Sequence, residues 1–188
     1  MLATLNSFYQ LRSHRLMGFR PRISYEMKFG NFVLKTASNT QELREALELR
    51  YQVFHRELIG AKKSFGLDVD LFDAQSDHLI VRDLRGDRVV GALRINSSQF
   101  GVPFFVANEF ILTRILSKPG AKVEVGRLCL HQDYRTGLVG SLLWRGVHSY
   151  MIQSQAPLVI DSWHGENSGC KAGCSFVSLF LRFGFSQV

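Results

Sequence analysis

The chain has 188 residues, 46 % of them apolar and 21 % charged, and a formal net charge of +7. That length fits one domain with a sizeable core. No apolar run reaches the ~18–20 residues of a membrane-spanning helix, three cysteines fit a reducing cytosol better than a disulfide framework, and the basic excess asks for an acidic partner.

Residues 1–28 set Arg12, Arg15, Arg20, Arg22 and Lys28 against one acid, Glu26, with Phe8, Tyr9, Leu11, Leu16, Met17 and Phe19 interleaved. This reads as a basic amphipathic or disordered N-terminal arm, of membrane-surface or transit-peptide type. The domain is expected over residues 29–188. Residues 31–36 alternate as a strand. Asn39 caps a helix over 40–57, and Glu42 stands at the capping-box position. Leu43, Leu47, Tyr51 and Phe54 share one face of it, with Ala46 and Arg50 alongside. An arginine beside a buried stripe needs a partner.

Residues 58–76 form a loop carrying Asp68-Val69-Asp70-Leu71-Phe72-Asp73, long enough to suggest function. Strands over 77–83 and 88–96 flank a hairpin turn at 84–87. Residues 107–117 read as a helix broken by Pro119-Gly120. A strand over 121–130, a helix over 137–153 and a strand over 157–161 follow, then a polar stretch and a short apolar helix or strand over 175–185. The order is β–α–loop–β–β–α–β–α–β. It implies an α/β (α+β) fold: a mixed, mostly antiparallel sheet flanked by helices, with a strand–helix–strand crossover near the end.

Most of the chemistry lies between Glu124 and Gly140. A strand carries Glu124 and Arg127, and a basic turn, Arg135-Thr136-Gly137, leads into a helix. Free N–H groups and the dipole at a helix start favour an anion. The turn therefore suits a phosphate-bearing acyl carrier, with the upstream acid placed to handle an amine: an N-acyltransferase arrangement. Arg135 at a helix start opposes the dipole and wants an anion. Glu124 and Arg127 are three apart, so regular pleating sends them to opposite faces and only a bulge brings them together. Arg50 with Asp70 or Asp73 reads equally as a buried ion-pair network. Cys129 reads as a packed thiol, His78 and His148 as structural, and Trp144 as core. Cys170-x3-Cys174 with His164 lacks a fourth ligand, so no metal is expected. No nucleic-acid motif accompanies the charge, so no nucleic-acid partner is expected.

The strand order with a phosphate turn after the fourth strand is similar to the GNAT acyl-CoA N-acyltransferase fold. Arg135-Thr136-Gly137-Leu138-Val139-Gly140 matches the first and last positions of that family's Gln/Arg-x-x-Gly-x-Gly/Ala loop, with Leu138 at the central glycine. Leu49-Arg50-Tyr51-Gln52-Val53-Phe54, Asp70-Leu71-Phe72-Asp73, Asp77-His78-Leu79, Gly91-Ala92-Leu93-Arg94 and Glu124-Val125-Gly126-Arg127 occur in this order. Over residues 32–152 the chain resembles the N-acyltransferases that use acyl carrier protein: acyl-homoserine-lactone synthases, long-chain N-acyl amino acid synthases and the ornithine acyltransferases of ornithine-lipid synthesis. Residues 77–79, 126–135 and 143–146 look most similar to the ornithine branch.

The resemblance implies transfer of a fatty acyl group to the α-amine of an amino acid such as ornithine. Arg50, Asp70, Asp73 and Arg94 would bind that substrate, acids orienting its ammonium and an arginine gripping its carboxylate. Glu124 and Arg127 would be catalytic, Glu124 as the base, directly or through a water. Backbone N–H groups near residues 128–130 would hold the oxyanion. Arg135, Thr136, Gly137 and Gly140 would cradle the phosphopantetheine. No bound cofactor is implied; acyl carrier protein or acyl-CoA enters as co-substrate. The expected setting is cytoplasmic, with peripheral contact at the inner membrane. The rival readings are a homoserine-lactone signal synthase and a non-catalytic protein that binds acyl carrier protein or membrane. The relatives continue beyond a Gly-Cys-Ser-like turn. Here Gly173-Cys174-Ser175 follows a polar stretch and the chain stops at Val188, so the C-terminal part reads as truncated or altered, or as closing the acyl pocket differently.

Overall fold

A computed structural model describes residues 16–60, 66–164 and 175–181. Its elements are β1 (Glu26–Phe29), β2 (Phe32–Thr36), α1 (Thr40–Tyr51) continuing as a π-helical segment (Gln52–Leu58), β3 (Asp77–Asp83), β4 (Arg88–Ser97), α2 (Thr113–Leu116), β5 (Lys122–Leu130), α3 (Leu138–Gln153), β6 (Leu158–His164) and β7 (Ser175–Leu181). The seven strands form one sheet in chain order. Every pairing is antiparallel except β5 with β6, the two strands that α3 connects.

Local signals account for the elements. The Glu42 N–H donates to Asn39 Oδ1 at 3.0 Å, so Asn39 caps α1. Glu42 turns its own carboxylate to the Ser38 N–H, 2.8 Å away, one residue before the expected capping-box partner. Leu43, Ala46 and Leu47 of α1 pack on Ile80, Val89, Ala92 and Cys129. Val139, Leu142, Leu143, Val147 and Tyr150 of α3 pack on Leu79, Val81, Leu93, Ile95, Val123 and Val125 on the other face. Each fully buried aliphatic side chain contributes roughly 1.5–3 kcal/mol, so these two seams dominate the stability. Gly91 lets α3 approach closely: a Cβ there would lie 2.5 Å from Val139 Cγ1.

Two regions differ from the sequence expectation. Residues 16–28, assigned to the arm, lie on the domain. Leu16 and Phe19 are buried beside α1, and residues 26–29 form β1. The Arg22 and Ile23 N–H groups donate to the Asp77 carboxylate at 2.8 and 3.0 Å, and the Tyr150 hydroxyl donates to it at 2.8 Å. One buried acid thus ties this segment to β3 and α3; residues 1–15 lie outside the described residues. The helix expected over 107–117 is a 3-10 turn, Phe105–Asn108, then the single turn of α2. Trp144, expected in the core, is exposed on α3. Cys170, Cys174 and the Gly173-Cys174 turn lie outside the described residues.

The opening that positions the site comes from β5. Its parallel pairing with β6 runs from Lys122↔Leu158 to Val125↔Asp161. Beyond that, among the described residues, the strands part: β5 continues to Leu130, while β6 continues to His164 paired with β7. A crevice at the carboxyl ends of parallel strands is a common ligand position.

Candidate active site

The first layer of the site is an anchor. Arg50, 3 % exposed, donates from Nη1 and Nη2 to Asp73 Oδ1 and Oδ2 at 2.8 and 2.7 Å, and from Nε to Asp68 Oδ2 at 2.9 Å. The two-pronged geometry fixes the acidic loop to α1. Burial favours neutral Asp73, but the Arg50 bond and charge, with His78 and Arg94, outweigh it and hold Asp73 well below the usual carboxylate range. His78 is buried on β3, and its Nε2 lies 3.0 Å from the Asp73 carbonyl. A carbonyl only accepts, so Nε2 carries the ring proton. Burial pushes His78 down to about 4 despite the pull of Asp73.

The second layer reaches solvent. Arg94 Nη1 donates to Asp70 Oδ1 and Oδ2 at 2.7 and 2.6 Å and to Asp73 Oδ1 at 3.2 Å. Arg127 Nη2 donates to Asp70 Oδ2 at 3.2 Å. The Arg94 side chain is 5 % exposed, whereas those of Asp70 and Arg127 are 22 % and 33 % exposed. The accessible members are therefore one carboxylate and one guanidinium in contact. The Phe105 ring lies 5.2 Å from each of the two guanidinium carbons, and Phe72 lies 5.4 Å from that of Arg94. The two rings meet edge to face. Aromatic faces next to guanidinium groups favour the cation.

Glu124 and Arg127 reach this layer from one strand because β5 bulges. Ala92 and Arg94 on β4 face Cys129 and Gly126 on β5, so one extra β5 residue is accommodated, and Arg127 adopts φ +56°. Side-chain parity reverses across it. Val125 and Leu130, five apart, both pack on the α3 side, and Cys129 turns to the α1 side. Glu124 is buried, with Oε2 accepting the Phe105 N–H at 2.9 Å and Oε1 the Val106 N–H at 2.7 Å. Burial raises its proton affinity; those bonds and Arg94 oppose the rise, and Asp70 adds to it. Cys129 is buried, which pushes its thiol up to about 12, far from a thiolate nucleophile.

The anion-ready turn follows directly. Gly137, at φ +100°, precedes α3, whose start has no side-chain cap. Arg135, Thr136 and Gly137 are exposed, and Gly140 is half-buried within the first turn. Arg135 donates from Nε and Nη2 to the Leu130 carbonyl at 3.2 and 3.1 Å, and it ion-pairs with Glu57 of the π-helical segment. The anion that Arg135 wants is thus met within the fold, and among the described residues no side chain caps the helix-start N–H groups. Phe72 and Phe105 escaped sequence reading, because no periodicity marks a ring whose role is to cover a guanidinium.

Residues 49–145 match the family model described as an acetyltransferase (GNAT) domain. An L-ornithine N(alpha)-acyltransferase of Rhodobacter capsulatus is 31 % identical over 151 residues, 73 % of this chain and 58 % of that protein. One of Brucella abortus is 28 % identical over 167 residues, 80 % of this chain and 59 % of that protein. The chain thus spans less than two thirds of the length of these curated relatives. The fold is similar to that of the AHL synthase LasI, with TM-score 0.53, 17 % identity and 70 % and 71 % of the two chains covered. It is also similar to a CoA-dependent acyl-homoserine lactone synthase, BjaI, solved with SAM and isopentyl-CoA, with TM-score 0.51, 22 % identity and 65 % and 59 % covered. The family match runs from α1 through the acidic loop and β5 into α3, taking in the whole charged cluster and the helix start. The chain belongs to the acetyltransferase (GNAT) domain family.

Proposed function

We propose that this chain is an N-acyltransferase moving a fatty acyl group from a phosphopantetheine thioester to the α-amine of an amino acid, with ornithine as the acceptor. The observation that carries the reading is the accessible Asp70–Arg127 pair beside the parted edge of β5, which runs on into an uncapped helix start. An amino acid brings an ammonium and a carboxylate, and this pair offers the matching charges. The relatives named as ornithine acyltransferases supply the choice of acceptor.

Asp70 receives the ammonium in place of its bond from Arg127, and the released Arg127 grips the carboxylate. Arg94, buried behind Asp70, and the Arg50–Asp73 pair hold the loop in place. Glu124 takes the proton that the ammonium must lose. Each of its oxygens accepts one backbone N–H and retains a second acceptor direction, and burial favours its protonated form. The free amine attacks the thioester carbonyl, and backbone N–H groups of the open β5 edge stabilise the oxyanion. The C–S bond breaks, and the departing sulfur takes the second proton from nitrogen. The helix start at Arg135, Thr136, Gly137 and Gly140 receives the phosphate of the donor arm.

Acyl carrier protein is the donor we favour over acyl-CoA, because an acidic carrier complements a +7 chain. No described helix is long and apolar enough to cross a membrane. The basic N-terminal segment and a lipid-like product fit peripheral membrane contact in the cytoplasm. The test is thiol release from a long-chain acyl carrier protein across a panel of amino acids. Release that depends on ornithine and is lost in folded Glu124→Ala is expected; release indifferent to any amine contradicts the reading.

A further inference from the structure

Asn96 lies on β4 two residues beyond Arg94, directly opposite Glu124 in the β4–β5 register. It is 2 % exposed, and its Nδ2 donates to the Val102 carbonyl at 3.4 Å. That bond sets the amide orientation, since the flipped amide would put oxygen against oxygen. Its Oδ1 is then a buried acceptor with no donor among the described residues. Such an atom is costly in a folded core and needs a reason. Directly opposed strand positions hold their Cβ atoms about 4.5–5.5 Å apart, within reach of side-chain contact.

Glu124 faces the complementary difficulty. As a carboxylate, it is served by the Phe105 and Val106 N–H groups. Once protonated, one oxygen becomes a donor and needs an acceptor. Arg94 from β4 and Arg127 and Lys122 from β5 only donate, and Lys122 Nζ is turned to the carbonyls of Leu116, Lys118 and Gly120. Asp70 of the acidic loop already accepts from Arg94, Arg127 and the Phe72 N–H. Asp161 of β6 pairs with Val125 rather than Glu124, and Glu109 is exposed, three residues past the Val106 that Glu124 holds. The neutral acceptor facing Glu124 is Asn96.

We propose that Asn96 is a positioning residue for Glu124: its side-chain oxygen accepts a hydrogen bond from the Glu124 carboxyl once Glu124 has taken a proton from the acceptor ammonium. In that step the ammonium N–H bond breaks, the Glu124 O–H bond forms, and the new O–H donates to Asn96 Oδ1. The pair stores the proton away from Asp70 and Arg127, so the acceptor's remaining contacts are undisturbed. The inference rests on the acyltransfer reading for the origin of the proton, but the Asn96–Glu124 coupling is measurable without turnover.

The experiment is an infrared pH titration of the protonated-carboxyl band in the free, full chain, with Glu124→Gln subtracted to isolate Glu124. Asn96→Ala removes the acceptor for the neutral form, so the Glu124 midpoint is expected to fall by about one pH unit. Asn96→Thr keeps an oxygen on a strand-compatible side chain, retains part of the shift, and serves if Asn96→Ala fails to fold. An unchanged midpoint in folded Asn96→Ala, or one in Asn96→Thr as low as or lower than in a folded Asn96→Val, overturns the inference. The acyltransfer reading fails separately, if the wild-type chain releases thiol indifferently to any amine.

Discussion

At the scale of single residues, burial divides the charged cluster into an anchor and a working pair. Removing one partner of a buried ion pair leaves the other charge uncompensated. Asp73→Ala is therefore expected to destabilise by about 3–5 kcal/mol in urea unfolding. Arg127, a third exposed, behaves differently: Arg127→Ala is expected to cost under about 1 kcal/mol of stability, yet raise the acceptor KM at least about tenfold. His78 gives a pH signature. Its folded value near 4 lies below its ordinary 6.5, so the unfolded chain binds more protons between them. Stability is thus full above pH 6.5 and falls as pH drops toward 4, by on the order of 3 kcal/mol from this group. Titrating stability in His78→Gln is expected to flatten that window. The ionic residues were legible in the sequence as residue types, and Arg50 even as a buried arginine needing a partner. Which of them stay accessible was not, because burial of Arg94 and exposure of Arg127 depend on the loop and on Phe105, neither of which has periodicity to read.

At the scale of elements, the β5 bulge and the start of α3 decide the site. A strict two-residue repeat separates Glu124 from Arg127. Only the partner strand's register, set by Ala92↔Cys129 and Arg94↔Gly126, reveals the extra residue. A bulge belongs to two strands, so one strand's pattern cannot announce it. By contrast β3, bounded by Asp77 and Asp83, and the hairpin after it were readable, because short apolar runs on either side of a polar Gly-Asp turn are local signals. The stretch over 107–117 misled for the same reason in reverse: helix formers there satisfy only short turns, and Glu124 caps the first of these from a distant strand. Gly91→Ala is expected to cost about 1–3 kcal/mol by urea unfolding, since its methyl meets Val139 and must push α3 off the sheet. Gly137→Ala sets an L side chain at φ +100° and should cost roughly 1–2 kcal/mol, with a raised donor KM.

At the scale of the whole molecule, the sheet holds two chemistries side by side. β5 contributes Glu124 and Arg127 before and at its bulge, then the open edge, then the turn into α3. In the proposed reaction, a donor held by the helix start and an acceptor held by Asp70 and Arg127 would meet along one strand. The mixed sheet with its crossover from β5 through α3 to β6 was legible from element order, because connection lengths and strand–helix alternation constrain it. The parting of β5 and β6 after Val125 and Asp161 was not, since nothing in either strand's composition marks where pairing stops. The most direct measurement is the mass and connectivity of the product formed from ornithine and a long-chain acyl carrier protein by the wild-type chain and by Asp70→Asn. An acyl group on the α-nitrogen is expected with the wild type, and a yield at least about tenfold lower with folded Asp70→Asn. Hydrolysis without an acylated amino acid, or equal yields from the two proteins, would contradict that expectation.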